Sequence, residues 1–143
     1  MYSIPAHHPS VPFSSHVPGG IHAGSRLVIR GAMHHSADRF TIDFQCGPIW
    51  GQDDSAFHIS VRPQQGAVVR NTLENKNWGP EERYGGCPIV PGHPYEIEIV
   101  AGFHRFNVRI NGSHFCEYNH RIPMHRISYI LISGDTTLQY VGH

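Results

Sequence analysis

The sequence predicts an all-β fold, a sandwich or barrel of short antiparallel strands. Segments rich in β-branched and aromatic residues recur between Gly, Pro and Asn residues, and no stretch with the 3.6-residue period of a helix competes with them. In chain order, the predicted strands are residues 26–30, 40–46, 56–62, 67–72, 95–101, 105–110 and 127–133. Their number and regular spacing are typical of two packed sheets or one closed sheet.

Alternation within two segments predicts strands with one buried face and one solvent face. In residues 40–45, Phe, Ile and Phe alternate with Thr, Asp and Gln, and in residues 95–99, Tyr and two Ile alternate with two Glu. Successive strand side chains point to opposite faces, so we expect the apolar set to be buried and the polar set to be exposed. The dipeptide Asn111-Gly112 predicts a tight hairpin between its flanking strands, because both residues tolerate positive φ.

Length and composition predict one globular domain. A chain of 143 residues can bury about two-thirds of its unfolded surface. Residues 1–10 are rich in Pro, His and Ser, and we expect them to form a short N-terminal arm or the start of an edge strand. Residues 11–143 are then a single domain.

The charge balance argues against two classes of partner. Eleven Lys plus Arg residues balance eleven Asp plus Glu residues, so the sequence lacks the basic footprint of a protein that binds nucleic acid or an anionic membrane. No apolar run reaches membrane-spanning length, and the N-terminus does not have the pattern of a secretory signal peptide. We therefore expect no nucleic acid, no membrane insertion and synthesis in the cytosol.

Histidines and cysteines are abundant enough to raise the question of a metal site. Thirteen histidines are scattered without a repeated ligand spacing. Cys46, Cys87 and Cys116 fit neither a full disulfide framework nor a zinc module. We expect reduced, partly buried thiols, no metal and no cofactor.

Seven side chains are predicted to share one face across three neighbouring strands. The two-residue period puts three of them in a row on the strand 56–62, the turn 63–66 brings a fourth beside them, and a Trp-Gly-Pro-Glu-Glu-Arg segment adds the rest. The candidate binding residues are His58, Ser60, Arg62, Asn71, Trp78, Glu81 and Arg83.

These residues resemble the galectin signature, which is His-x-Asn-x-Arg, then Val-x-Asn, then Trp-Gly-x-Glu-x-Arg. The matching positions are His58, Arg62, Val69, Asn71, Trp78, Gly79, Glu81 and Arg83. The resemblance extends from about Pro12 to Val141. It implies a two-sheet antiparallel β-sandwich, a jelly roll of the galectin and concanavalin A-like type. It also implies a metal-independent lectin, not an enzyme, that binds β-galactosides such as lactose and N-acetyllactosamine.

Sugar chemistry suggests how three of these side chains act. Galactose has an apolar patch of C–H groups on one face and an axial hydroxyl that distinguishes it from glucose. Trp78 lies in a turn-rich stretch and is expected to be exposed, so its indole can cover the C–H patch. His58 and Arg62 can hydrogen-bond the axial hydroxyl.

The remaining polar residues suit the primary hydroxyl and the next sugar. Asn71 can donate and accept, and Glu81 accepts, which fits a hydroxyl that does both. By resemblance, this hydroxyl is galactose O6. Arg83 and Glu81 are expected to orient Arg62 through charge pairing and to touch the next sugar. Val69 is expected to pack beside the sugar, and Gly79 is expected to meet a backbone requirement.

One position departs from the signature and motivates an alternative. Ser60 replaces the usual Asn, which removes an amide but keeps a hydroxyl. The alternative is a galectin-fold interaction protein with weakened or altered glycan specificity that binds a protein partner. An enzyme is disfavoured, because Glu81 and Glu82 point to opposite faces and Cys87 has no base linked to it.

The resemblance also implies properties beyond one binding site. Galectins cross-link glycoproteins, which requires two sites, so a homodimer or a second linked galectin domain is expected. Cytoplasmic synthesis followed by non-classical secretion to the extracellular space is expected as well.

Overall fold

The protein is a sandwich of two antiparallel six-stranded sheets in a computed structural model that describes residues 3–143. The front sheet has the strand order β2-β11-β4-β5-β6-β7, and the back sheet has the order β1-β12-β3-β8-β9-β10. The strands are β1 Ala6–His7, β2 Phe13–His16, β3 Arg26–Met33, β4 Phe40–Gln45, β5 Ser55–Arg62, β6 Ala67–Glu74, β7 Asn77–Trp78, β8 Pro94–Ala101, β9 Arg105–Ile110, β10 Ser113–Asn119, β11 Tyr129–Gly134 and β12 Thr136–Gly142. Two short 3₁₀ turns, Pro63–Gln65 and Met124–Arg126, complete the described elements.

The core lies between the two sheets and is filled by the apolar faces of their strands. Aromatic rings join the layers: Phe57 of the front sheet stacks on Phe106 and Tyr118 of the back sheet, with ring centroids 4.8 Å and 4.5 Å apart. Phe44 meets Phe106 edge to face at 5.3 Å. Such offset and edge-to-face pairs add to the free energy of burying the rings. The all-β sandwich prediction is confirmed.

Each predicted strand is present, with its ends moved by a few residues. β10 is the second strand of the predicted Asn111-Gly112 hairpin, and β7 is the observed part of the predicted third strand of the polar face. β2 and β12 were not predicted, and β1 lies in the residues expected to form an arm or the start of an edge strand. β1 and β7 have two residues each and are defined by pairing to a neighbour, β1 to β12 and β7 to β6. Pairs this short carry no periodicity of their own, so only the assembled sheet shows where they begin and end. Residues 1 and 2 of the predicted N-terminal arm lie outside the described residues, and the domain boundary at residue 10 stays a prediction.

Both predicted turns are confirmed by left-handed backbone conformations. Asn111 has φ 51° and Gly112 has φ 83°, and Ser113 pairs with Ile110 across this two-residue hairpin. Gly66 ends the Pro63–Gln65 turn with φ 63° and returns the chain into β6.

The predicted solvent face of β4 is wrong for Asp43 and Gln45, which are buried. β4 is an inner strand with β11 and β5 on either side, and the chain that follows it folds back: Gln45 Nε2 donates to the Gly47 carbonyl at 2.9 Å. On β8 the prediction holds, since the two Glu residues are partly exposed and the apolar residues are buried.

The three cysteines are free thiols, as predicted. Cys46 and Cys87 are half-buried and Cys116 is buried. Burial raises the pKa of Cys116 to about 11, which keeps it protonated and poorly reactive near neutral pH. Within residues 3–143, no helix has the length and apolar character to cross a membrane.

Candidate functional site

The register of the front-sheet strands places polar side chains of β4, β5 and β6 side by side in one row. Asp43 of β4 is opposite His58 of β5, which is opposite Asn71 of β6. Directly opposite residues share a face of the sheet, so these three side chains point the same way. β7 extends the row at the sheet edge, where Trp78 pairs with Leu73.

The row forms one wall of a cleft of about 270 Å³. Its lining residues are His58, Arg62, Val69, Asn71, Trp78, Gly79 and Glu81. Five of the seven predicted binding residues therefore border one space. The other two, Ser60 and Arg83, do not line it, and each shares a hydrogen bond with a residue that does, Ser60 with Arg62 and Arg83 with Glu81.

His58 is held by a buried carboxylate. Its Nδ1 lies 2.7 Å from Asp43 Oδ1, which also accepts a hydrogen bond of 2.8 Å from Ser55 Oγ. A carboxylate only accepts, so His58 Nδ1 carries the proton and Nε2 is the nitrogen left for a ligand. The sequence analysis missed Asp43 as a site residue because alternation predicted an exposed side chain. Its register opposite His58 becomes visible only once β4 and β5 pair.

Arg62 is oriented by uncharged side chains. Its Nε donates to Ser60 Oγ at 3.0 Å, and its Nη1 is 3.5 Å from Gln65 Oε1. Arg83 Nε donates to Glu81 Oε1 at 2.9 Å, and Arg83 Nη1 donates to the same Gln65 oxygen at 3.1 Å. The expected charge pairing onto Arg62 is therefore wrong. Gln65 links the two arginines instead, because it lies on the turn between β5 and β6.

The guanidinium of Arg62 is a partly desolvated charge. Burial lowers its pKa below the ordinary value, and the positive charges of Arg39 and Arg83 lower it further. Among residues 3–143, no carboxylate lies within ion-pair distance of it. Arginine titrates so far above neutrality that the charge remains, and a polar ligand oxygen can satisfy it.

Ser60 lies beneath Arg62 and has 0% of its surface exposed. Its hydroxyl contacts the arginine and not the cleft. The geometry thus gives Ser60 a supporting position, although the sequence analysis grouped it with the contact residues.

Asn71 is fixed by three hydrogen bonds. Its Nδ2 donates to the Gly79 carbonyl at 2.9 Å, and its Oδ1 accepts from the Thr72 amide at 2.7 Å and from Arg121 Nη1 at 3.1 Å. One of its two N–H groups stays available for a ligand. A Cβ on Gly79 would lie 3.0 Å from Arg121 Nη1, a close contact with the end of a side chain, and the expected backbone requirement at Gly79 stays a prediction.

Arg121 supports the site from fifty residues away in the chain. Its Nη2 donates to Glu82 Oε2 at 2.9 Å, and its guanidinium lies over the Tyr118 ring. Nothing in the local sequence pointed to this role. Glu82 contacts Arg121 while Glu81 contacts Arg83, so the two carboxylates have separate partners.

Two tryptophans flank the His58 end of the cleft. Trp78 is 47% exposed, as predicted, and its ring centroid lies 4.7 Å from that of His58. Trp50, which the sequence analysis missed, is 49% exposed, stacks on His58 at 5.7 Å and lies 6.1 Å from Trp78. The available signal was a tryptophan in a Gly- and Asp-rich stretch where no strand is predicted.

A metal centre finds no support in the geometry. Within the described part of the chain, no group of three or more His, Cys, Asp or Glu side chains is arranged to hold a metal ion. The cleft offers hydrogen-bond donors, one carboxylate and an exposed indole. This set suits recognition of a neutral, hydroxyl-rich ligand.

Curated relatives share the sequence over nearly the whole chain. It is 37% identical to galectin-4 of Bos taurus, with 99% of this chain aligned to 42% of that protein. It is 34% identical to galectin-3 of Mus musculus over 99% of this chain and 53% of that protein. With human galectin-7 the identity is 35% over 92% of this chain and 96% of the relative. The chain thus spans about half or less of galectin-4 and galectin-3.

Solved structures share the fold. The Caenorhabditis elegans galectin LEC-6 superposes with a TM-score of 0.87 at 27% identity, covering 97% of this chain and 96% of that one. Sheep galectin-11, in a complex with glycerol, gives 0.81 at 26% identity over 91% and 95%. The sequence model described as galactoside-binding lectin matches residues 12–143. This chain therefore belongs to the galectins, a family of lectins and not of enzymes, and forms a galectin carbohydrate-binding domain.

Proposed function

We propose that this domain binds β-galactosides such as lactose and N-acetyllactosamine through the front-sheet cleft, without a metal. The observation that carries the proposal is the cleft itself, in which an exposed indole stands beside polar groups held by buried partners. A flat apolar surface next to fixed donors suits a pyranose, which has a C–H face and a rim of hydroxyls.

Selection of galactose over glucose rests on the axial hydroxyl. Trp78 covers the C–H face of the ring, and the axial hydroxyl then points toward β5. His58 Nε2 and the Arg62 guanidinium meet it there, because Asp43 and Ser60 hold these two side chains on the cleft side. An equatorial hydroxyl, as in glucose, leaves these buried polar groups unpaired, which costs binding free energy.

The primary hydroxyl is the second recognition point. The free N–H of Asn71 donates to O6, and the Glu81 carboxylate accepts from it. Arg83, paired with Glu81, reaches the second sugar of a disaccharide. Ser60 acts as a positioning residue for Arg62.

The protein-partner alternative is the weaker one. Its motive was the replacement of Asn by Ser60, yet the serine hydroxyl keeps a 3.0 Å hydrogen bond to Arg62. The arginine remains oriented toward the cleft, so the substitution removes one contact while leaving the rest of the site intact.

We also propose that this domain acts on glycoproteins as part of a divalent assembly. Shallow sugar sites bind in the mM to μM range, about 4 to 8 kcal/mol, so two linked sites gain strongly from avidity. Either a homodimer or a second galectin domain supplies the second site. Cytoplasmic synthesis with non-classical secretion completes the proposal, and cell fractionation against the conditioned medium tests it.

Titration calorimetry in the presence of a chelator tests the sugar specificity. We expect the wild type to bind lactose but not cellobiose, a glucose disaccharide, and Trp78→Ala to weaken lactose binding at least tenfold. Phe103→Ala is the matched control, because Phe103 is 81% exposed on the turn between β8 and β9 of the back sheet. Equal binding of both disaccharides would refute the galactose specificity, and no lactose binding by the wild type would favour a protein partner.

A further inference from the structure

Arg70 is a cationic side chain buried between the two sheets. Its neighbours on β6, Val69 and Asn71, line the cleft, so the two-residue period turns Arg70 to the inner face of the front sheet. Arg70 has 0% of its surface exposed, and it is opposite the core residue Ile59 of β5. An arginine is cationic in proteins, and a buried charge destabilises the fold unless specific partners compensate it. The role of Arg70 therefore depends on the groups that surround its guanidinium.

These groups are two backbone carbonyls and two aromatic rings. Nη1 of Arg70 donates to the Val68 carbonyl at 2.7 Å and to the Tyr84 carbonyl at 2.8 Å. The guanidinium carbon lies 4.6 Å from the centre of the Tyr84 ring and 5.2 Å from that of Phe115 on β10. Nε and Nη2 have no hydrogen-bond partner among residues 3–143. The two ring faces and the two carbonyls therefore compensate the charge.

Arg70 also marks the point at which backbone pairing stops at this edge of the front sheet. The amides of Arg70 and Glu82 each donate to the carbonyl of the other residue at 2.9 Å. Continuing this antiparallel register would place Val68 opposite Tyr84. The backbone pair is isolated, however, and Arg70 Nη1 donates to the carbonyls of both residues. The side chain thus takes the place of the next step of the ladder and anchors residues 82–84 to β6.

The anchored segment carries the charged pair of the cleft. Glu81 lines the cleft and accepts a hydrogen bond from Arg83 Nε at 2.9 Å. Both residues adjoin Glu82, whose backbone pairs with that of Arg70, so their own backbone positions depend on this attachment. A movement of residues 82–84 away from β6 would move the charged pair relative to the rest of the cleft.

Two other polar groups of the cleft do not depend on this anchor. His58 and Arg62 belong to β5, where they bond Asp43 and Ser60. Loss of the Arg70 side chain should therefore displace the charged pair while the β5 contacts stay in place.

We propose that Arg70 is a positioning residue that fixes the Glu81–Arg83 pair, from within the sandwich, where Arg83 contacts the second sugar of a disaccharide. This inference rests on the proposed function, which assigns that contact to Arg83. A methionine at position 70 would fill the space between the sheets but would donate no hydrogen bond to the Tyr84 carbonyl. Binding would then lose the part of the affinity that the second sugar contributes.

The experiment compares lactose with methyl β-galactoside, which lacks the second sugar, by competitive titration against a fluorescent lactoside. We expect the wild type to bind lactose more tightly. In Arg70→Met the ratio of the two affinities should fall about two- to tenfold, the range for the loss of one hydrogen bond. Arg105→Met, which removes an exposed arginine of the back sheet, should keep the wild-type ratio.

A double variant tests whether Arg70 acts through the charged pair. In Arg83→Met the contact with the second sugar is already lost, so the addition of Arg70→Met should leave the affinity ratio unchanged.

Proton exchange measured by NMR tests the anchor in the wild type, without any substitution. The guanidinium protons of Arg70 should exchange slowly with water, because the group is buried and Nη1 donates to two carbonyls. This measurement decides on the anchor even if Arg70→Met does not fold.

Four results would overturn the proposal. They are equal affinities of the wild type for the two sugars, an unchanged ratio in Arg70→Met even where both affinities fall, a further fall of the ratio when Arg70→Met is added to Arg83→Met, and rapid exchange of the Arg70 guanidinium protons. A general loss of stability would lower both affinities alike and so gives the second result. Each of the four is compatible with lactose binding by the wild type, whereas failure of the proposed function abolishes it.

Discussion

The two outer faces of the sandwich carry similar polar patterns and differ in what supports them. On the back sheet, Arg26 and Arg30 of β3 pair with Glu98 and Glu96 of β8 at 2.6 Å and 2.8 Å, and both arginines are half exposed. On the front sheet, the polar side chains of β5 and β6 are buried, apart from the partly exposed Arg62 and the exposed Glu74 at the end of β6. The same two-residue alternation therefore yields a solvated surface on one sheet and a rigid site on the other.

The difference comes from the type of partner. Exposed Arg–Glu pairs hold two long side chains in competition with water and contribute about 0 to 1 kcal/mol each. The front-sheet groups bond a buried carboxylate, a serine hydroxyl and backbone carbonyls. A site fixed in this way loses little conformational entropy on binding, which favours affinity.

Removing the buried carboxylate should have the largest effect. In Asp43→Ala, Ser55 Oγ and His58 Nδ1 lose their common acceptor, and each unsatisfied buried group costs about 1 to 3 kcal/mol. We expect the free energy of unfolding in urea to fall by about 2 to 4 kcal/mol and lactose affinity to fall with it. Glu96→Ala on the back sheet is the matched control. A loss below 1 kcal/mol in Asp43→Ala would mean that the two faces do not differ as described.

Arg121→Met should weaken sugar binding more than it weakens the fold. The variant frees Asn71 Oδ1 from one of its two donors and removes the pair with Glu82. We expect lactose affinity to fall about five- to thirtyfold, which corresponds to about 1 to 2 kcal/mol. Arg105→Met, which breaks the exposed pair with Glu117, should leave affinity unchanged. Equal lactose affinities of Arg121→Met and Arg105→Met would show that Arg121 does not support the binding site.

The sequence predicted most of the strands and five of the side chains that line the cleft, because both follow local rules. Alternation identifies β5, and the positions of His58 and Trp78 follow from strand period and turn chemistry. The supporting residues could not be predicted, because their roles depend on register and on distant segments. Asp43 becomes a partner of His58 only when β4 pairs with β5, and Arg121 arrives from the end of β10.

Ser60 and Trp50 show the limit of a signature in opposite ways. Ser60 occupies a contact position of the pattern, where it replaces the usual Asn, yet its side chain lies beneath Arg62. Trp50 lies outside the pattern, yet its ring stacks on His58. Which side chains border a cleft depends on how deeply each is buried beneath its neighbours and on the conformation of the loops. Neither property follows from a short-range period in the sequence.

Lowering the pH should weaken the hydrogen bond by which Asp54, at the end of the loop that carries Trp50, accepts from the Asn75 amide in the turn before Trp78. The hydrogen bond from the Asn75 amide, followed by that from Arg126, holds the pKa of Asp54 below its ordinary value. A depressed pKa contributes stability above the unfolded value, and this contribution is lost as the pH falls through the folded one. We expect Asp54→Asn to be slightly less stable than the wild type at pH 7, by no more than about 1 kcal/mol.

The difference in the free energy of unfolding between the wild type and Asp54→Asn should disappear as the pH is lowered toward 3. Unfolding in urea at each pH measures it. Asp38→Asn is the control, because Asp38 forms an exposed pair with its neighbour Arg39. A gap that widens on acidification would contradict the assigned direction of the shift.

The smallest effect is expected on the back sheet. Arg30→Ala removes the pair with Glu96 and the contact over Tyr140, and we expect the free energy of unfolding to change by about 0 to 1 kcal/mol. Lactose affinity should stay within the error of the titration, since the core separates this residue from the cleft. A measurable loss of lactose affinity in Arg30→Ala would mean that the back-sheet ion pairs are energetically coupled to the front-sheet cleft. The polar side chains of the two outer faces would then form one network.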